Sequence, residues 1–471
     1  SRFHLATAAD EIHLHPEGLV LLEGYGQYRT YYKEGLDRFG IQYHVFRVGD
    51  YKSAVEPYVR NDMSEEAREA NLDWLGDVWT NYLQDVAAAR SLDPDAIARF
   101  IEEMPTRVRA EQGDIALAAL ENGLVDQLSH RDAVRDRLIE LVGRAADGDG
   151  FRRIGHAAYV AQLDARPSEA GTSDGTVGVI VARGTILDGE QPPGTIGGDT
   201  VAKLVRQARE DDDIAAIVLR VDSGGGSAFA SEVIRRELAL ARDAGKPVVV
   251  SMGSVAASGG YWIATSSDEI WASPSTITGS IGIFGLFPTI DQPLNRYLGM
   301  NVDGVGTTSF AGALRPDRPL EPKLGETIQL VIEDGYRDFL ERVANAREMT
   351  IEEVDAVAGG RVWSGEDAQR VGLVDQLGDL DAAIASAGQL AALGDDPRVT
   401  WVAKELTFQE QLFSQLAETA VRWRGPAADA GARWTMTPRH ALARFVESRY
   451  AELAMWNDPR GVYAHCLCEI E

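Results

Sequence analysis

The six residues Gly123-Leu124-Val125-Asp126-Gln127-Leu128 return unchanged as Gly372-Leu373-Val374-Asp375-Gln376-Leu377, 249 residues further on. Weaker matches surround them in the same order. Asp10-Glu11-Ile12 with Pro16 matches Asp268-Glu269-Ile270 with Pro274, and Leu36-Asp37-Arg38-Phe39 resembles Leu294-Asn295-Arg296-Tyr297. Val48-Gly49 matches Val305-Gly306, and the stretch Tyr82 to Arg90 resembles Phe339 to Arg347. Collinear matches with small gaps mean two copies of one domain, which constrains the fold more than composition does. The second copy has about 90 residues ahead of Asp268, whereas the first has nine ahead of Asp10. The expectation is a first copy lacking its N-terminal half, with room in the missing part for a membrane anchor.

The complete copy alternates strand and helix. Thr176 to Ala182, Ile214 to Val221, Val248 to Met252 and Glu269 to Ala272 are short, apolar and β-branched, as buried strands are. Asp199 to Arg209 and Ala230 to Ala244 have helical spacing, the latter closed by Gly245 and Pro247, and another helix is predicted over Ser258 to Ala264. This alternation predicts right-handed βαβ crossovers and a parallel sheet. The predicted organisation is a partial copy over 1–163, a linker over 164–175, the complete copy over 176–397, and an extension of one strand and then helices over 398–471.

Composition removes several classes. At 471 residues, 45% hydrophobic and 25% charged, the chain is globular. A net charge of −27 makes nucleic acid a poor bulk partner. No run reaches the roughly 18–20 apolar residues of a membrane span; Val248 to Ala264 comes nearest and is broken by Ser251, Gly253, Ser254, Ser258, Gly259 and Gly260. Cys466 and Cys468 are too few for a disulfide framework, and with His465 they are too tightly spaced for a usual zinc site. No metal or cofactor is indicated.

Two strand ends could carry chemistry, since ligands collect at the carboxyl ends of parallel strands. In Asp222-Ser223-Gly224-Gly225-Gly226-Ser227 the glycines can turn N–H groups toward a phosphate or an oxyanion, or simply make a flexible turn. In Ser254-Val255-Ala256-Ala257-Ser258-Gly259-Gly260-Tyr261, Ser258 stands where a helix begins. A serine there is commonly an N-cap; as a nucleophile it would profit from the helix dipole and from small neighbours that admit a peptide backbone. A nucleophilic serine needs a base. None of the eight histidines lies in a triad motif. Six lysines remain, of which Lys52 sits in the turn-like Val48-Gly49-Asp50-Tyr51-Lys52-Ser53-Ala54-Val55-Glu56-Pro57. Spacing alone favours reading Lys52 as a surface cation over reading it as a base. It aligns with Ser309 in the second copy, so a Ser258 nucleophile would draw its base from the first copy.

These residues resemble the signal peptide peptidase A family, also called protease IV, in its long two-copy bacterial form. The strings that carry the resemblance are Asp10-Glu11-Ile12, Tyr51 to Tyr58, Ala257-Ser258-Gly259-Gly260-Tyr261-Trp262, Thr278-Gly279-Ser280-Ile281-Gly282 and Asn457-Asp458-Pro459. The resemblance implies duplicated Clp-protease/crotonase-like βαβ domains and a serine endopeptidase with a Ser/Lys dyad. By motif, Ser258 matches the nucleophile, Lys52 the general base and Ser280 the serine that orients the lysine; the Gly226 and Gly259 N–H groups match the oxyanion hole. It further implies a homotetramer on the outer, periplasmic side of the bacterial cytoplasmic membrane, anchored by an N-terminal helix absent from this chain. Its substrates would be hydrophobic signal peptides left after preprotein processing.

Two departures stand out. The family's Ser-Pro-Gly-Gly turn is Ser223-Gly224-Gly225-Gly226 here, which predicts a looser loop. Short members take their lysine from a site matching Gln369 or Arg370, neither of which can serve as a neutral amine, since arginine stays protonated. The mechanism demands a neutral Lys52 near pH 7, about three units below a free lysine or about 4 kcal/mol, which an apolar, covered cleft supplies. Two other readings predict different behaviour: a crotonase-like acyl-CoA enzyme would bind coenzyme A, and a non-catalytic scaffold would leave Ser258 unreactive.

Overall fold

A computed structural model describes residues 2–146, 148, 150–164, 175–192, 194–308, 310–403, 457–466 and 468. The described residues divide into two compact units, those within 1–27 and 75–169 in one and those within 28–74 and 170–469 in the other. The units cross the sequence repeat: residues 28–74 of the first copy fold with the second copy.

In the larger unit the described residues form an eight-stranded sheet in the order Val362–Ser364, Ile277–Gly279, Val248–Ala257, Ile214–Ser223, Thr176–Arg183, Val399–Trp401. Glu269–Ala272 and Gln376–Leu377 branch beside Val248–Ala257. Pairing is parallel except between Ile277–Gly279 and Val362–Ser364. Both faces of the central strands are covered. Ile217, Leu219 and Val221 face one core beneath helices Gly198–Glu210 and Ala228–Asp243. Ala216, Val218 and Val249 face a second core against Leu380–Leu390. Two-sided burial explains why these strands are continuous apolar runs and not alternating ones. The α/β class is therefore as the sequence predicts, and strand and helix positions agree within a few residues except at Val248–Ala257. That strand runs five residues past Met252 and delivers the chain directly to Ser258.

A second, six-stranded sheet runs Gln42–Arg47, Phe284–Thr289, Tyr463–His465, Gly225–Ser227, Ile186–Leu187, Ile196–Gly197. Gln42–Arg47 pairs antiparallel with the whole of Phe284–Thr289, and this pairing holds the lysine-bearing turn against the serine-bearing copy. Val399–Trp401 supplies the strand expected after 398. The helices expected beyond it fall on 404–456, and the linker on 165–174, outside the described residues. The strand Tyr463–His465 was not anticipated: three residues of Tyr, Ala and His carry no period.

The repeated hexapeptide makes the same contacts in atomic detail, once in each unit. In the smaller unit His13–Leu14 pairs parallel with Gln127–Leu128; in the larger, Trp271 and Ala272 pair with Gln376 and Leu377. The Ile12 N–H donates to the Asp126 carboxylate and the Ile270 N–H to that of Asp375, both at 2.7 Å. Arg90 and Arg347 each end a 26-residue helix and each reach a glycine carbonyl, Gly123 or Gly372, and the same aspartate. The identical hexapeptide is thus a clamp in which an arginine closes a helix end onto a strand edge. Both arginines are mostly buried, and losing one leaves a half-buried carboxylate without its cation. Arg347→Ala is expected to lower unfolding free energy by about 3 kcal/mol, read from denaturant midpoints; a change under about 1 kcal/mol would remove the clamp from the account.

Candidate active site

Ser258 follows the last residue of Val248–Ala257 and precedes the helix Gly259–Ala264. Its N–H donates to Gly279 O at 2.8 Å and its carbonyl accepts from the Trp262 N–H at 2.8 Å. It stands at the N-cap position, but its side chain makes no capping bond, and φ is +56°. The N-cap reading therefore fails. A serine held in the left-handed region costs of order 1–3 kcal/mol and persists only when the surroundings impose it.

Its hydroxyl points instead at Lys52. Lys52 Nζ lies 2.8 Å from Ser258 Oγ, 3.0 Å from Ser280 O and 3.1 Å from Ser280 Oγ. Ser280 also has positive φ, +50°, so both serines that meet the amine are held in strained backbone. Lys52 is 1% exposed, Ser258 0% and Ser280 2%, so the contact is dry. The surface-cation reading of Lys52 is overturned.

The lysine turn is set by its neighbours. The Tyr51 N–H donates to Gly359 O at 3.0 Å, and Arg47 donates to Lys52 O at 3.0 Å. Gly360 has φ +86°, and a Cβ there would stand 2.6 Å from Lys52 N, so only glycine lets the two backbones pass. Arg361 stacks over Tyr51, pairs with Glu69 and Asp73, and through its own carbonyl accepts the Ser280 N–H at 2.6 Å. Arg47, Gly360 and Arg361 were not singled out from sequence, because their roles depend on contacts between the two copies.

Among the described residues no carboxylate forms an ion pair with Lys52. Burial alone pushes its amine down to about 7, which is the shift a lysine base requires. His465 is also buried here, lining the same small cavity as Lys52 and Ser280. Its ring hydrogen-bonds to the Gly225 backbone, and burial foremost pushes the imidazole down to about 4, so it is neutral at pH 7.

The glycine loop is brought to the same place. A Cβ built on Gly225 would stand 2.6 Å from Gly259 N, so the Gly225–Ser227 strand and the Gly259 amide converge beside Ser258. The expected looseness is not found: Gly226 pairs with Ile186 on one side and Ala464 on the other. Gln369 donates to Asp375 O, and Arg370 pairs with Asp367. Ser309, which aligns with Lys52, lies outside the described residues.

Comparison with known proteins gives the family. The family model described as peptidase family S49 matches two stretches, residues 2–144 and 240–394. The chain belongs to peptidase family S49. It is 43% identical over 466 residues to Protease 4 of Salmonella typhi, covering 99% of this chain and 74% of that one. It is 38% identical to Protease 4 of Haemophilus influenzae, covering 99% and 75%. A chloroplastic serine protease, SPPA of Arabidopsis thaliana, is 31% identical over 85% of this chain and 58% of its own length. The chain is a serine protease, and the two stretches matched by the S49 model accord with the repeat read from the sequence.

Proposed function

We propose that Ser258 is the nucleophile and neutral Lys52 the general base of a Ser/Lys endopeptidase that degrades hydrophobic signal peptides. The observation that carries this is the 2.8 Å contact between Lys52 Nζ and Ser258 Oγ in a dry pocket. A neutral amine has two N–H donors and one lone pair. The Ser280 carbonyl can only accept, so it takes one N–H, and Ser280 Oγ takes the other. The lone pair is left facing the Ser258 hydroxyl, which donates to it. Ser280 is thus a positioning residue for the base.

As Ser258 Oγ attacks a peptide carbonyl, Lys52 takes its proton and returns it to the leaving amine. An ester to Ser258 forms and the peptide C–N bond breaks. Water then attacks the ester, its proton passing to Lys52; the ester C–O bond breaks, Ser258 Oγ takes that proton back from Lys52, and the acid product leaves. Charge on the tetrahedral oxygen would be met by the Gly226 and Gly259 N–H groups, each donor worth about 3–4 kcal/mol in comparable sites.

The same reading places the chain as a homotetramer at the outer side of the bacterial cytoplasmic membrane. Among the described residues no helix is long and apolar enough to cross a membrane.

The pH dependence follows from sign. The base works only unprotonated, so kcat/KM should rise tenfold per unit below about 7 and level off above it. A profile flat from pH 5.5 to 9, or an unchanged inflection in Lys52→Met, would count against the dyad. The substrate class is tested by matched peptides, one with an apolar signal-peptide core and one with that core made polar. The apolar peptide should be cleaved with the higher kcat/KM; equal values would separate the chemistry from this substrate.

A further inference from the structure

We infer that the segment Val462–Cys466 occupies the peptide groove of this site as an intramolecular ligand, with Ala464 placed beside Ser258 where a substrate residue would lie; the inference rests on the peptidase reading above.

The segment is an antiparallel strand laid on the glycine loop. Tyr463 pairs with Ser227, Ala464 with Gly226 and His465 with Gly225, and Tyr463 also pairs with Phe284 on its other side. The Cys466 N–H donates to Gly224 O at 2.7 Å, and the Ala228 N–H donates to Val462 O at 3.2 Å. In an antiparallel ladder, pairs that exchange hydrogen bonds recur every second residue. Ala464 and Gly226 fall between two such pairs and are therefore one themselves, which turns the Ala464 carbonyl toward the Gly226 N–H. That carbonyl oxygen stands 2.1 Å from where a Gly225 Cβ would be and 2.9 Å from where a Gly259 Cβ would be. One peptide carbonyl thus rests among Gly225, Gly226 and Gly259, the backbone proposed to receive the oxyanion. Gly224 and Gly225 have no room for a Cβ because this segment passes so close, while at Gly226 the room is taken by the Ile186 backbone.

The burial of the site has the same cause. A peptidase must present its nucleophile to an incoming chain, yet Ser258 is 0% exposed. Extended peptides bind such enzymes by adding a strand to a free edge, and here the edge at Gly225–Ser227 is already paired on both sides. The occupant is also fastened. The Asp458 carboxylate accepts from Ser227 Oγ at 2.6 Å and from the N–H groups of Phe229, Arg460 and Val462 at 2.9, 2.8 and 3.1 Å. The side chains describe a preference as well: a small residue, Ala464, beside Ser258, preceded by Tyr463 in a pocket of Ala54, Val55 and Phe284.

The test uses the full chain and a fluorophosphonate that acylates reactive serines, with labelling of Ser258 followed by mass spectrometry. Asp458→Asn keeps the shape of the anchor but removes its charge, and Ala464→Pro breaks the pairing with Gly226 without touching the anchor. Each variant is expected to label at least about tenfold faster than wild type, the factor one charge-assisted hydrogen bond carries. An excess of synthetic peptide spanning residues 457–468 should slow the variants back toward wild type. Two results overturn the inference: folded variants, checked by circular dichroism, that label at the wild-type rate, or faster labelling that the peptide does not slow. Absence of labelling in wild type and both variants would instead remove the hydrolase reading and the inference with it.

Discussion

Ser258→Ala is expected to lower kcat for peptide hydrolysis by about 10⁵–10⁶-fold, the scale on which loss of a catalytic serine acts. The argument is local. The hydroxyl makes no capping bond, so the helix Gly259–Ala264 does not depend on it. Its hydrogen-bond partner is Lys52 Nζ, and alanine leaves that amine bonded to Ser280. The fold should therefore persist, with a melting temperature within a few degrees of wild type, and apolar peptides should still bind. A variant that is folded, binds peptide and turns over at the wild-type rate would end the nucleophile assignment.

Lys52→Met should have two effects of opposite sign. Activity should fall by about 10⁴-fold or more, since no other base contacts Ser258 Oγ among the described residues. Stability near pH 7 should rise. In the folded chain the amine is pushed down to about 7, whereas in the unfolded chain it is an ordinary lysine near 10.4. Between these values the unfolded state binds more protons, so this group's contribution to stability increases with pH. At pH 7 the burial costs about 4 kcal/mol, and at pH 10 less than about 1 kcal/mol. Methionine has no such cost, so its stability advantage should shrink by about 3 kcal/mol between pH 7 and pH 10, whatever constant is lost with the hydrogen bonds. Denaturant midpoints at the two pH values measure this directly. A pH-independent difference between the variant and wild type would mean that Lys52 stays protonated in the fold.

Much of this site was legible in the sequence, for identifiable reasons. Strands buried on both faces write continuous apolar runs, so Ile214–Ser223 and its neighbours were readable, and a repeated hexapeptide fixed the two copies. Ser258 was recognisable from the small residues around it and Lys52 from its string, although each alone had a bland reading. What overturned those readings is not local. The Ser258 backbone is held by Gly279 and Trp262, Gly360 packs directly on Lys52 from about 300 residues away, and Arg361 holds the Ser280 backbone. The crossing of the copies into two compact units follows from Gln42–Arg47 pairing with Phe284–Thr289, a register that no period within either strand specifies. The strand Tyr463–His465 is short and unpatterned, so its place on the glycine loop is set by Asp458 and not by propensity.

The central claim is that a neutral amine touches the reacting hydroxyl, and the most direct measurement is the titration of that amine. The chain has six lysines, few enough to follow in a protein carrying ¹³C at the lysine ε-carbon. One resonance should titrate with a midpoint near 7 and vanish in Lys52→Met. A set of six resonances with none titrating near 7, or one near 7 that survives in Lys52→Met, would contradict the account.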